Sequence, residues 1–467
     1  MQEDQTISIQ ELFQKQTPSK AGFFQNPSYQ HRIQNLKKLE VSLHQYEDKF
    51  LTALKQDLDK HSIEAYCTEI LPLHKELQTC LRSLKKWMKP SSQRLPILLQ
   101  PGNAQVHARP KGQVLIIGPF NYPVNLTIKP LIGALAAGNR VILKPSEHTQ
   151  HVTEVLLSLI KNTFPAEEVA VVTGGKKAVT TLLDLPFDHF FFTGSQAVGQ
   201  IVYQKAAQHM SSATLELGGK SPTIVWEDAD IETAARKIVW GKFLNFGQTC
   251  VAPDYILAHA KIFEKLILAI KNQIKEQFSD KKNKPCCSIF YGKCISQTKQ
   301  QQLLNSVESL HILTGGVICN DCKKLAPTLV TKVPKNHDLL TKEIFGPVLP
   351  ILSIQTEDQL FDALSKNPYP LASYLYSRHK SLEKKLSNWH TGALVINDNV
   401  IHAGLPLPFG GIKTSGLGQY HGHESFKTFS EFCPVITNSS TWDASMRYSP
   451  YKFSMRVIKK SLPALFS

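Results

Sequence analysis

The sequence predicts an α/β protein built on two successive parallel-sheet units. Two observations predict it. From residue 113 onward, short continuously apolar runs alternate with single helical stretches, which is the pattern of strands covered on both faces by crossover helices. The chain is also long enough, at 467 residues with 42% hydrophobic, to fill the cores of two or three ordinary domains.

Taken in order, residues 8–90 read as helices, with periodic apolar positions in "RIQNLKKLEVSLHQYEDKFLTALKQDL" and again in "CTEILPLHKELQTCLRSLKKWM". The stretch "KPSSQRLPILLQPGN" at 89–103 breaks that period with three prolines and reads as an extended arm or linker. Strands are expected at 113–119, 140–145, 168–174, 188–194 and 213–218, with helices at 124–137, 149–163, 176–183 and 196–209 between them. A second alternation places helices near 229–245 and 260–278, and strands near 254–258, 348–353, 372–377 and 393–397. Sheets of this kind bind ligands at the carboxyl ends of their strands. Here those ends carry "GPFNYP", "KPSE", "TGG", "FTGS" and "ELGGK".

Lys and Arg exceed Asp and Glu by 53 to 38, a formal +15 that favours anionic ligands. The basic residues fall in scattered short groups, without an arginine-rich run interleaved with aromatics, so nucleic acid is not an expected partner. Nine cysteines, an odd number, and a polar start "MQEDQTISIQ" point to a reducing, cytoplasmic setting. No uncharged apolar run reaches the ~18 residues that span a bilayer. The tail "YKFSMRVIKKSLPALFS" alternates apolar and basic groups, which suits a weak peripheral membrane contact or a docked terminus.

Two phosphate-binding signatures are nearly present. "GGKSP" at 218–222 has Thr214 where a phosphate-cradling loop needs its first glycine, which argues against an ATPase. "GSQAVG" at 194–199 follows a strand and opens a helix but lacks the middle glycine of G-x-G-x-x-G, so it signals only a helix N-terminus that could receive phosphate.

The cysteines differ in context. Cys67 and Cys80 fall in helical periodicity and read as core or semi-buried. Cys286, Cys287, Cys294, Cys319 and Cys322 include the C-x-x-C "CNDC", a spacing that zinc sites use. However, "GGVICNDCKKLAP" reads as a turn between strands and the upstream cysteines show no matching C-x-x-C, so no metal is expected. Cys250 in "LNFGQTCVAPDY" follows Gly247, Gln248 and Thr249 on a helix-to-strand connection, where a thiol can meet a substrate. A nucleophilic cysteine also needs a base and donors for an oxyanion.

Six motifs in order, "GPFNYPVNLTIKPLIGALAAGNRVILKPSE", "FFTGSQAVG", "LELGGKSP", "GQTCVAPDYIL", "EIFGPVLPI" and "LPFGGIKTSGLGQYHG", resemble the aldehyde dehydrogenases, class 3 or fatty-aldehyde-like branch. The resemblance runs from the N-terminal helices to about residue 450, and the stretch 281–325 fits it poorly. It implies a Rossmann-like cofactor domain (1–91 and 111–217), an α/β catalytic domain (218–412), a small β oligomerisation arm (92–110 and 425–450) forming a homodimer, and a tail (451–467). Some class 3 relatives end in a membrane-spanning segment or a lipidated cysteine, and the tail here shows neither.

By the same resemblance Cys250 is the nucleophile, Asn121 with the Cys250 N–H forms the oxyanion hole, and Glu216 is the base that activates water. The alternative for Glu216 is an ion pair with Lys220. Lys144, Glu147, Gly194, Ser195, Gly199, Glu343 and Phe345 would hold the cofactor, NAD with NADP left open. The implied reaction is oxidation of medium- to long-chain aliphatic or aromatic aldehydes to acids. A polyene aldehyde is an alternative substrate, as are a non-catalytic role and acyl transfer to coenzyme A or phosphate.

Overall fold

In the computed structural model, which describes residues 2–17, 26–96, 99–279, 285–443, 447–452, 454–456 and 459, every apolar run expected between 113 and 218 becomes a strand of one sheet. Its spatial order is Gly416–Leu417, Ser212–Glu216, His189–Thr193, Gln113–Ile117, Arg140–Lys144, Val169–Val171. All neighbours are parallel except the two-residue edge strand, which runs antiparallel to Ser212–Glu216. Gln113–Ile117 and His189–Thr193 are buried at every position, as strands covered on both faces must be.

The chain leaves Gln113–Ile117 toward one side of the sheet, then returns to build His189–Thr193 on the other. That reversal opens a crevice between two adjacent strand ends. The register, with Ile117 opposite both Lys144 and Phe192, and Thr193 opposite Glu216, lines up Gly118, Lys144, Thr193 and Glu216 along that crevice edge.

A seven-stranded sheet follows, ordered His311–Thr314, Thr328–Thr331, Val348–Ile354, Tyr255–His259, Pro222–Val225, Ser373–Tyr376, Leu394–Ile396. All its neighbours are parallel except the first pair. The interior strand Pro222–Val225 was not expected, whereas His311–Thr314 and Thr328–Thr331 are the strands on either side of the turn read at "GGVICNDCKKLAP". Four residues with a leading proline, "PTIV", give too short an apolar run to register as a strand. A third sheet is antiparallel and pairs Asn103–Pro110 with both Ser91–Gln93 and Ser430–Thr437, so the proline-broken stretch leads into an extended arm.

The N-terminal helices pack on the helices that cover the first sheet, with Tyr29–Leu58 against Gln150–Thr163 and Asn125–Ala137. Tyr29–Leu58 starts at Ser28, whose hydroxyl accepts the His31 N–H, and ends at Asp59 in the left-handed conformation. Its buried stripe of Leu36, Leu39, Leu43, Phe50, Leu54 and Leu58 joins an apolar core that continues into both sheets. Next come Ser62–Ala65, one π-helical turn at Tyr66–Ile70, and Leu71–Trp87. The extra residue per turn rotates Cys67 out of the buried stripe. Cys67 is therefore exposed, against the expectation of a core or semi-buried position, while Cys80 is buried.

Among the described residues no helix is long and apolar enough to cross a membrane. The reading of the tail as a membrane contact falls mainly on 457, 458 and 460–467, which lie outside the described residues.

Candidate active site

Cys250 lies between the helix Ile231–Phe243 and the strand Tyr255–His259, on a turn with unusual backbone. Asn245, Phe246 and Gly247 have φ of 51°, 61° and 76°, three successive left-handed residues. For the two non-glycines this costs on the order of 1–3 kcal/mol each, so the surroundings must hold them. They do. The Asn245 N–H donates to the Glu64 carboxylate at 3.0 Å and its side-chain amide donates to the Asn121 carbonyl at 2.7 Å. Phe246 is fully buried with its ring 5.0 Å from that of Tyr291. At Gly247 a Cβ would come within 2.5 Å of the Gly346 carbonyl oxygen, so "GQTC" sits directly on the backbone of "EIFGP".

Asn121 is held from the opposite side. Its side-chain amide donates to the Gln248 carbonyl at 2.9 Å, two residues before Cys250, and its carbonyl accepts from the Lys60 ammonium at 2.9 Å. Lys60 also pairs with Glu69 at 2.5 Å, with both side chains fully buried. The other Glu69 oxygen accepts the N–H groups of Val124 and Asn125, which open the helix after "FNYP". The π turn carries Glu69 into this position. Sequence reasoning missed Glu64, Lys60 and Glu69, because charged residues on amphipathic helices look like a solvated face. The only signal was their place beside the exposed "YC" of an otherwise regular helix.

The Cys250 sulfur opens into a cavity of about 290 Å³ that Glu216 also lines. Most of the remaining wall is apolar, with Leu126, Trp240, Val251, Ile401 and Phe409, and Cys67 lies at its margin. Burial, then the nearby Glu343 and Glu216 carboxylates, push the Cys250 thiol up to about 12, against two backbone N–H groups that favour its ionised form. Glu216 is 3% exposed and neither of its oxygens has a partner. Burial alone holds its carboxyl well above the usual range. Lys220 pairs with Asp254 instead, so the ion pair considered for Glu216 does not form.

Of the three residues singled out for chemistry, Cys250 and Glu216 share the cavity. Asn121 meets the Cys250 loop through Gln248 and does not line the cavity.

The other motifs gather on the crevice side. Gly194 donates its N–H to the Glu216 carbonyl at 3.0 Å, and Ser195 caps the helix Gln196–Gln208 by accepting the Val198 N–H. A Cβ at Gly199 would come within 2.6 Å of Leu217, so that glycine lets the helix lie close on the sheet. Lys144 is 1% exposed; its ammonium donates to the Pro145 carbonyl at 2.6 Å and reaches the half-exposed Glu147 at 3.4 Å. Phe345, itself left-handed at φ 49°, packs edge-on against Phe120 of "GPFNYP" at 5.8 Å. Glu343 is drawn against "LELGGK": a Cβ at Gly218 would come within 2.1 Å of its carboxylate. Burial, then the Asp254 carboxylate, push Glu343 up to about 8.

The described residues therefore offer a dinucleotide a helix N-terminus after a strand, a buried cation beside a carboxylate, and the unpartnered Thr193 hydroxyl at the crevice edge. These groups fit such a ligand.

A sequence profile of the aldehyde dehydrogenase family matches residues 15–435. The chain is 41% identical over 453 residues to the 4,4'-diaponeurosporen-aldehyde dehydrogenase of Staphylococcus aureus (strain NCTC 8325 / PS 47), which covers 96% of this chain and 98% of that one. It is 38% identical over 405 residues to the dimeric NADP-preferring aldehyde dehydrogenase of Rattus norvegicus, with 86% and 89% covered. Its fold matches the substrate-bound state of Staphylococcus aureus AldH with a TM-score of 0.92 at 39% identity, over 97% of this chain and 99% of that one.

Proposed function

The chain belongs to the aldehyde dehydrogenase family, whose members oxidise aldehydes with NAD(P), and on that premise we propose that Cys250 is the nucleophile for long, apolar aldehydes. The observation that carries the reading is the apolar cavity that ends on Cys250 and Glu216. At about 290 Å³ it lies at the small end of ligand pockets, roughly 300–1,000 Å³. A medium alkyl chain fills it, and a longer or polyene chain extends through its mouth. The likeness to the staphylococcal enzyme supports the polyene alternative.

In this reading the Cys250 sulfur attacks the aldehyde carbon and its proton passes to solvent. The raised affinity of the buried Glu216 carboxyl for a proton suits a base that takes one from water later in the cycle. The aldehyde oxygen becomes an oxyanion, met by the Cys250 N–H and by the second N–H of the Asn121 amide, whose first is held by Gln248 and whose side chain must turn toward the cavity to reach it. NAD(P), held by the groups at the crevice, would supply the hydride acceptor, and Cys250 would then carry the acyl group as a thioester. Glu216 then takes a proton from water, the hydroxide attacks the thioester, and the acid departs as the sulfur is regenerated. An unpartnered carboxylate beside the sulfur favours water over coenzyme A or phosphate as acyl acceptor.

Lys144, Glu147, Gly194, Ser195, Gly199, Glu343 and Phe345 would hold the cofactor. Glu147 favours free ribose hydroxyls and hence NAD, and Lys144 leaves NADP open. The six-stranded sheet forms the cofactor domain and the seven-stranded sheet the catalytic domain. The third sheet is the arm of a homodimer, with Phe432, Val435 and Ile436 exposed on it. All nine cysteines are free thiols, which suits a cytoplasmic setting.

The test is a kinetic panel of hexanal, dodecanal, hexadecanal, benzaldehyde and a polyene aldehyde, run with NAD and then NADP. We expect kcat/KM to rise with chain length and free acid to form without added thiol or phosphate. A profile that falls with chain length overturns the substrate reading.

A further inference from the structure

The stretch 281–325 fits its family poorly, yet it brings four thiols together. The sulfurs of Cys286, Cys287, Cys319 and Cys322 all lie within 4.8 Å of one another. Cys287 Sγ is 3.1 Å from Cys319 Sγ, 3.1 Å from Cys322 Sγ and 3.9 Å from Cys286 Sγ. A tetrahedral zinc ion with Zn–S near 2.3 Å spaces its sulfurs about 3.8 Å apart, within the spread of this cluster. The expectation of no metal rested on the missing second C-x-x-C. Folding removes that ground, because the adjacent Cys286 and Cys287, on the single turn Pro285–Cys287, supply the second pair.

The backbone of "CNDCKK" is arranged for ligation. The Lys323 N–H closes the turn onto the Cys319 carbonyl at 2.9 Å, and the Cys319 N–H returns to the Lys324 carbonyl at 2.9 Å. Lys323 is left-handed at φ 55°, which turns the chain sharply after the second cysteine and leaves both sulfurs on one side. The amides of Cys322 and Asp321 donate to the Cys319 sulfur, as backbone N–H groups do to a sulfur that binds metal as its thiolate. Three of the four residues are partly exposed, so the cluster is not ordinary core packing. Soft sulfur ligands in a tetrahedral set select zinc or iron over magnesium or calcium.

The cluster lies behind the catalytic turn. Tyr291, four residues after Cys287, donates its hydroxyl to the Leu325 carbonyl at 2.9 Å and packs its ring, tilted, against Phe246. The Gln248 side chain donates to the Lys293 carbonyl at 3.0 Å and accepts the Ile295 N–H at 2.9 Å. We propose that Cys286, Cys287, Cys319 and Cys322 bind one structural zinc ion, which staples the 285–295 segment to the 319–325 hairpin and so supports the turn that carries Cys250. On binding, the four thiols give up their protons to solvent and the zinc tetrathiolate carries a net charge of −2. Lysines at 281, 282, 284, 323 and 324 flank the ligands in sequence.

The test is elemental analysis of the full-length protein purified without chelator. We expect about one zinc per chain, falling below about a tenth in Cys319→Ser/Cys322→Ser and unchanged in Cys294→Ser. Should the double variant fail to accumulate, the wild-type protein decides. Stripped of metal under reducing conditions, it should take up cobalt(II) with sulfur-to-cobalt charge-transfer bands and intense tetrahedral d–d bands, and its melting temperature should fall on stripping and return with zinc. Reduced wild-type protein that takes up neither zinc nor cobalt overturns the proposal. So does a cluster found as disulfides in protein purified under reducing conditions, or a site that holds iron instead.

Discussion

The side-chain amide of Asn121 donates to the carbonyl of Gln248 at 2.9 Å, across 127 positions of sequence. One amide N–H is thereby committed to the loop that carries Cys250, and this fixes the direction of the other. Asn121→Ala should lower kcat by roughly 10²–10³, the usual loss for one oxyanion donor, with a smaller change in KM. Steady-state kinetics checks it, and an unchanged kcat would remove Asn121 from the site.

Cys250→Ala should abolish cofactor reduction. Because the thiol has Glu343 and Glu216 near it, its removal should leave the melting temperature unchanged or raise it. Glu216→Gln should behave differently: one turnover of cofactor per site appears as a burst, and the steady state then falls by about 10²–10⁴ as the thioester persists. Rapid-quench mass spectrometry should find the acyl group on Cys250. A Glu216→Gln enzyme with no burst and no acyl adduct would assign the base elsewhere.

Lys60 and Glu69 form an ion pair with both side chains fully buried. Glu69→Gln leaves the Lys60 ammonium without its counter-charge and should cost about 3–5 kcal/mol, read as an earlier midpoint of urea inactivation. Lys60→Met/Glu69→Leu should recover part of that stability but little activity, since the Asn121 carbonyl loses its donor. Equal midpoints for Glu69→Gln and wild type would contradict the account.

Glu343 connects the site to pH. Its folded-state carboxyl titrates near 8 instead of 4.5, so between those values the folded chain holds a proton that the unfolded chain has released. Stability therefore falls as pH rises through that window. Glu343→Gln lacks this loss, and its melting temperature relative to wild type should climb by a few degrees from pH 5 to pH 8. A difference that stays flat with pH would show that Glu343 ionises freely in the fold.

The sheet that builds the crevice was legible because its strands are unbroken apolar runs separated by helices of ordinary length. Pro222–Val225 was not, although it lies inside its sheet with a strand on each side, because strand length and composition there are set by tertiary pairing. Cys250 and Glu216 could be found only through motif order. What places them, the Glu64, Lys60 and Glu69 carboxylates and ammonium, looked like helix surface. The four-thiol cluster escaped notice because Cys286 and Cys287 are adjacent, and spacing rules look for paired cysteines set apart.

The turn at 245–247 has one more consequence, which concerns chirality. Its backbone runs with the opposite hand to the rest of the chain, a conformation natural to D-residues. An L-alanine at 247 would drive its methyl into the Gly346 carbonyl, whereas D-alanine carries the methyl on the other side of Cα. Semisynthesis with each enantiomer at 247 would thus separate the conformational demand of this position from its demand for space, which substitutions among the encoded amino acids change together.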